Sequence, residues 1–231
     1  MSELADALYS AAQRGLVDRV TSLLADVDVR DVAVQDAMRA ALHVAIRNDH
    51  VAVLCALCDA GASFGLATTS IAPRLRLGFQ PIHLAASAGS VACIDALVAR
   101  FHVSPNSHDG GRTDDDTPLH WGCRNAHVDT VRQLLAAKAH TEYGNTNDSG
   151  DTPLDTALIY RDTRVIAVLL KSRPGAFVMQ RAQARASSNR YRSVIRMVAR
   201  ALSNYQRERE RAASDTRAHK VLPAVLSEIN K

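Results

Sequence analysis

The chain has 231 residues, 47% of them hydrophobic and only 4% aromatic; alanine and leucine dominate the apolar content, which suits close-packed helices and argues against a β-sandwich with its aromatic and β-branched bias. No apolar run approaches the ~18 residues that a membrane-crossing helix needs, and Glu3 and Asp6 in the opening stretch argue against a signal or transit peptide. The formal net charge of +4 is divided unevenly, with 14 Lys/Arg against 20 Asp/Glu in residues 1–170 (net −6) and 14 against 4 in residues 171–231 (net +10).

Taken in chain order, one pattern recurs five times. DALYSAAQRGLVDRVTSLL (6–24) is followed by AALHVAIRNDHVAVLCALC (40–58) and QPIHLAASAGSVACIDALV (80–98). TPLHWGCRNAHVDTVRQLL (117–135) and TPLDTALIYRDTRVIAVLL (152–170) complete the series. The marker residues Tyr9, His43, His83, His120 and Asp155 are 34, 40, 37 and 35 apart. Each copy predicts two short helices, the first running about ten residues from the proline where one is present. A break is expected at Gly15, Asp49, Gly89, Ala126 or Arg161, after which apolar residues return at helical spacing, as in Val128, Val131, Leu134 and Leu135. Residues 61–79 and 103–116 are enlarged connectors rich in turn-forming residues.

Thr117, Pro118, Leu119 and His120 open the fourth copy, and Thr152, Pro153, Leu154 and Ala157 mark the fifth. These residues resemble the ankyrin repeat, whose first helix opens with T-P-L-H-x-A. The motif has its own physics: Thr caps a helix N-terminus, and Pro in the first turn lacks only an N–H that would be orphaned there. The resemblance spans about residues 4–170 and implies an all-α solenoid of stacked helix pairs with hairpin-like fingers, stable only through stacking. It places an array over 1–172, with units near 4–36, 37–77, 78–113, 114–148 and 149–172. Departures from the motif, such as Arg161 in place of the usual glycine and Asp155 in place of histidine, fall in copies expected at the ends of the array.

The resemblance also implies a function by analogy: a non-enzymatic scaffold or adaptor that binds another protein, as a subunit of a larger assembly. Binding would use the concave face of the first helices and the finger tips. The matching positions in the first half are Arg47, Asn48, Arg76, Leu77 and Phe79. In the fourth copy they are Asp114, Asp116, Trp121, Arg124 and Asn125, and near the fifth they are Asp148, Ser149, Asp151, Ile159 and Tyr160. Trp121 and Tyr160 are the candidate anchors, since large aromatics are over-represented among binding hot spots.

The other chemistry-bearing residues read as structural. His43, His83 and His120 recur once per unit, so each is expected to hydrogen-bond backbone between units rather than to converge on a catalytic pocket. Cys55 and Cys58 form a C-x-x-C with no second pair at zinc spacing, and Cys58 takes a core leucine slot. NTNDSGD (145–151) lacks the acid that a calcium loop requires and reads as a turn. Asp114-Asp115-Asp116 reads as a solvated run, with attraction of a cation or a basic partner as the alternative. No phosphate-cradling glycine loop or nucleophile elbow is present, and no cofactor or metal is implied. Four cysteines without a secreted disulfide framework point to a reducing, intracellular and cytoplasmic setting.

After Leu170 the pattern changes to a basic amphipathic extension over 173–231. Tyr191, Ile195, Val198, Leu202 and Tyr205 predict an apolar stripe on a helix over 185–211, flanked by Arg190, Arg192, Arg196 and Arg200. RERER (207–211) continues as solvated helix, and VLPAVLSEIN adds a short amphipathic end. Four readings stay open: a cap on the array, a grip on acidic protein, a calmodulin-like or membrane contact, and nucleic-acid binding through phosphates.

Overall fold

The computed structural model describes residues 2–62, 80–109, 115–141, 146–172, 174–188 and 192–229. These residues hold twelve helices and no strand. The first six are α1 (Ser2–Gln13), α2 (Val17–Leu24), α3 (Val32–Arg47), α4 (Val51–Asp59), α5 (Pro81–Ala88) and α6 (Val91–Ala99). There follow α7 (Pro118–Arg124), α8 (Val128–Ala136), α9 (Pro153–Tyr160), α10 (Thr163–Lys171), α11 (Ala176–Ser188) and α12 (Arg192–Ile229). The chain divides into two compact units, Met1–Val168 and Leu169–Lys231.

In the first unit, the helix pairs follow the five sequence copies. Three first helices begin on a proline, with Gln80, Thr117 and Thr152 in extended conformation as N-caps. Each first helix then ends on a left-handed residue: Gly15 (φ 71°), Asp49 (57°), Gly89 (83°), Ala126 (58°) and Arg161 (65°). These are the five breaks expected from sequence. In four copies the next N–H reaches back to close the helix, from Leu16 to Ala11, His50 to Ala45, Ser90 to Ala85 and His127 to Gly122, all at 2.9–3.1 Å. That is a Schellman-type closure, and it turns the chain into the second helix.

The local ends set up the stacking. First helices pack in one row, α1 on α3, α3 on α5, α5 on α7 and α7 on α9, while α2, α4, α6 and α8 pack in a second row. Leu8, Met38, Ile46, Leu54, Leu57, Ile82, Ile94, Leu97, Leu119, Leu134 and Leu154 are fully buried, so every pair contributes to one continuous apolar layer. Each such side chain stabilises by roughly 1.5–3 kcal/mol relative to exposure.

One sequence expectation needs correction here. The second copy has no proline start; Asp31 caps α3 instead, its carboxylate accepting from the Ala33 N–H at 2.7 Å. α3 therefore begins at Val32, ahead of residue 37, and His43 lies half-buried in its interior rather than in its first turn. The enlarged connectors expected to carry the finger hairpins fall largely on residues 63–79 and 110–114, which lie outside the described residues.

In the second unit, α11 packs on α12. The helix expected over 185–211 is two elements, α11 ending at Ser188 and α12 starting at Arg192, with Arg190 and Tyr191 outside the described residues. Val178, Met179, Ala182 and Ala186 are buried at helical spacing on α11, as are Val194 and Val198 on α12. Ile195, Leu202 and Tyr205 of the predicted stripe are half-buried, and 207–211 is exposed helix. No helix among the described residues is long and apolar enough to cross a membrane.

The left-handed residues give a direct check on these helix ends. Ala126→Gly relieves a conformation that disfavours any Cβ, offset in part by the freer unfolded chain. Urea unfolding should show a gain of about 0.5–1 kcal/mol. Asp49→Gly removes the same strain but should destabilise, because Asp49 also caps α6 through the N–H groups of Ala92 (3.2 Å) and Cys93 (2.9 Å).

Candidate functional site

Two of the recurring histidines, His83 and His120, bind units together. His120 is fully buried at the third position of α7. Its Nδ1 accepts from the Thr117 N–H at 3.2 Å and faces the Thr117 hydroxyl at 2.8 Å, while Nε2 donates to the Asp151 carbonyl at 2.9 Å, in the connector leading to the next unit. His83 repeats this with Gln80 N–H (3.0 Å) and the Ser107 carbonyl (3.0 Å). Burial lowers the His120 pKa to about 4 and lowers that of His83. In α9, the Asp155 carboxylate accepts from the Thr152 N–H (3.0 Å) and hydroxyl (2.8 Å), reproducing the within-helix half of the histidine's role.

A second set of ties was missed in the sequence. His50 Nε2 donates to the Gln13 carbonyl (3.1 Å), and His127 Nε2 to the Ser87 carbonyl (3.0 Å). Each ring lies against the left-handed glycine of the preceding unit, Gly15 and Gly89, where any Cβ would come within 3.0 Å of Nδ1. Where the preceding unit carries Asp49 instead of glycine, a serine follows in place of histidine: Ser90 Oγ donates to the Ile46 carbonyl at 2.5 Å. The signal was present as Asn-x-His-Val, repeated at 48–51 and 125–128.

With the backbone locked in this way, the two residues before each left-handed position fall in one register along the first-helix row. They are Gln13-Arg14, Arg47-Asn48, Ser87-Ala88, Arg124-Asn125 and Ile159-Tyr160. Most are exposed, and Asn125 Nδ2 spans to Ser87 Oγ at 3.5 Å and to its own Trp121 carbonyl at 2.9 Å. The sequence pointed to Arg47, Asn48, Arg124, Asn125, Ile159 and Tyr160 in this row and passed over Gln13, Arg14, Ser87 and Ala88.

Arg124 is the centre of the row. Its guanidinium lies 5.1 Å from the Trp121 ring centroid and 5.9 Å from that of Tyr160, while Nη2 is 2.5 Å from Asp116 Oδ2. The other Asp116 oxygen accepts from Asn147 Nδ2 at 3.0 Å. Trp121 Nε1 donates to Asp109 Oδ2 at 3.1 Å, and the Asp109 N–H donates to the Asp116 carbonyl at 3.1 Å. The result is a cation held between two aromatic faces by a buried carboxylate, with Ile159 45% and Tyr160 50% exposed beside it.

This network corrects the reading of three acids. Asp116 is fully buried and its carboxylate is engaged inside the chain, so it is neither solvated nor a surface contact. Asp151 is buried as well, its N–H on Asn147 Oδ1 (2.9 Å) and its carbonyl on His120. Asp115 is half-buried and pairs with His108 at 3.1 Å. Of the other candidates, Asp148 is exposed in the 147–150 turn, which is closed by the Gly150 N–H on the Asn147 carbonyl at 2.8 Å. Arg76, Phe79 and Asp114 lie outside the described residues.

The cysteines offer little reactivity. Cys55 and Cys58 are half-buried on α4, and Cys93 and Cys123 are buried. Burial pushes the Cys58 thiol up to about 12 and raises Cys93 and Cys123 too, which keeps them protonated and poor as nucleophiles or ligands. Among the described residues no three His, Cys, Asp or Glu side chains are grouped to hold a metal ion.

Comparison with known proteins accords with the repeat. The family model for ankyrin repeats, in three copies, matches residues 82–182. No curated protein matches the chain.

Proposed function

We propose that the chain is an ankyrin-repeat protein, as the family match over residues 82–182 supports, and that it is a non-enzymatic scaffold or adaptor, a subunit of a larger assembly. Ankyrin repeats are in general protein–protein interaction modules. The finer reading is that a partner protein docks on the first-helix row around Arg124, flanked by Trp121, Asn125, Ile159 and Tyr160.

The observation that carries this reading is the guanidinium of Arg124 set between the Trp121 and Tyr160 rings. Arg, Trp and Tyr are the residue types that dominate interface energetics, because each presents a large rigid surface with a polar handle. Here the arginine is already fixed by Asp116, so little side-chain entropy is lost when a partner arrives. Ile159 and Tyr160 add exposed apolar surface next to it.

The test is affinity capture with the whole chain and variants that keep the fold, as judged by circular dichroism. Trp121→Ala and Tyr160→Ala should each weaken retention of a captured partner about tenfold or more, a loss above ~1.4 kcal/mol. Arg132→Ala, 59% exposed on the second-helix row, should leave retention within about twofold. Equal retention by all three variants would remove this face from the account.

A further inference from the structure

The second unit carries a charged surface of unusual order. On α12, Arg196, Arg200, Arg207 and Arg211 are all exposed. At about 100° per residue their positions fall within a sector of about 60°, and at about 1.5 Å per residue they extend along roughly 22 Å of the helix. Ser193, Ser203 and Asn204 share or border that sector, and they too are exposed. The acids Glu208 and Glu210 project to either side of it. The apolar residues of α12 occupy the opposite side, with Val194 and Val198 buried and Ile195, Leu202 and Tyr205 half-buried.

Four features narrow what this face recognises. Every cation from residue 173 to 217 is arginine, with no lysine, and arginine is favoured where planar, bidentate recognition of phosphate or carboxylate matters. The intervening residues are serine and asparagine, which donate to phosphate oxygens, and Arg207 is steadied by the Ser203 carbonyl (3.3 Å) and Asn204 Oδ1 (3.1 Å). The sector contains no aliphatic or aromatic side chain to serve as the anchor that a specific protein interface uses. A membrane-lying helix would need its apolar side free, and here Val194 and Val198 on that side are buried.

From this arrangement we infer that the arginine stripe of α12 binds the phosphodiester backbone of a nucleic-acid duplex, without reading base sequence. The stripe belongs to the second unit and is independent of the protein-docking face around Arg124, so either activity can fail without the other. A helix laid along a backbone with its cations on one side neutralises a row of phosphates and releases their counterions.

The experiment is fluorescence anisotropy of the full chain with labelled duplex RNA and duplex DNA of the same arbitrary sequence, titrated at several salt concentrations. With about four phosphates neutralised, log affinity should fall against log salt with a slope of roughly −3.6, a loss on the order of 100-fold between 50 and 200 mM salt. Binding to either duplex supports the inference, and the preferred duplex identifies the source of the phosphates. The variant Arg196→Ala/Arg200→Ala/Arg207→Ala/Arg211→Ala should lose binding while keeping the wild-type melting curve. Removing four cations from the first unit (Arg14→Ala/Arg19→Ala/Arg30→Ala/Arg132→Ala) changes net charge equally and should leave binding and slope in place. If both quadruple variants weaken binding alike, or if the chain binds polyglutamate or anionic vesicles but neither duplex, the inference is overturned.

Discussion

His120→Ala is expected to lower stability by about 3 kcal/mol, a fall in melting temperature of roughly 10 °C for an array of this size. The ring bridges the Thr117 amide and hydroxyl to the Asp151 carbonyl across two units, and all of these groups are buried. Alanine opens a cavity, takes the acceptor from the buried Thr117 N–H and removes one of two donors to the Asp151 carbonyl, which keeps the Asn147 N–H at 3.0 Å; an orphaned buried group costs about 1–3 kcal/mol and the lost bond between units about 1 more. The same residue carries a pH signature. In the unfolded chain histidine takes up a proton near its ordinary value of 6.5, whereas burial holds the folded His120 down at about 4. Between those values the unfolded state binds more protons, so stability is full above about pH 6.5 and drains away as pH falls towards 4. His83 and His43, also lowered chiefly by burial, act in the same direction. Asp162, held below the usual carboxylate range chiefly by its bond from Arg164, acts only at lower pH. Urea unfolding at pH 7.5 and 5 should therefore show a smaller acid-induced loss in His120→Ala than in the parent. An equal loss in both would show that the ring is not held neutral.

The second large effect is expected at Gly89. Its φ of 83° is a conformation that costs a non-glycine residue roughly 1–2 kcal/mol, and a Cβ there would come within 3.0 Å of the His127 ring. Moving that ring breaks its bond to the Ser87 carbonyl, worth about 1 kcal/mol. Gly89→Ala should therefore destabilise by about 2–3 kcal/mol in urea unfolding. Gly61→Ala is the control: φ is 92°, but nothing lies within 4 Å of the added carbon, so only the backbone penalty of about 1 kcal/mol applies. If both substitutions cost the same, the ring contact between units three and four contributes nothing.

The helix pairs were legible because they rest on local chemistry. Proline and threonine at helix starts, and a break at each of Gly15, Asp49, Gly89, Ala126 and Arg161, are read from neighbouring residues alone. Register did the rest: once Arg124 and Ile159 occupy equivalent places in adjacent copies, stacking brings Arg124 beside Tyr160, the next residue along, and the structure shows both rings of the Arg124 sandwich. What escaped the sequence depends on partners distant along the chain. A run of three aspartates reads as solvated, yet Asp116 is buried because Arg124 and Asn147 converge on it from eight and thirty-one residues away. His50 and His127 look like ordinary surface histidines until a neighbouring glycine offers them a seat. The start of α3 was misplaced because Asp31 supplies the cap that Thr-Pro supplies elsewhere.

The central claim is that the exposed first-helix row is the docking face. Site-specific photo-crosslinking tests it most directly, with a photoreactive residue placed at position 125 or 160 on that row, or at 129 or 132 on the second-helix row. Adducts with a protein partner are expected from 125 and 160, and none above background from 129 and 132. Adducts confined to 129 and 132 would place the interface on the second helices and contradict it.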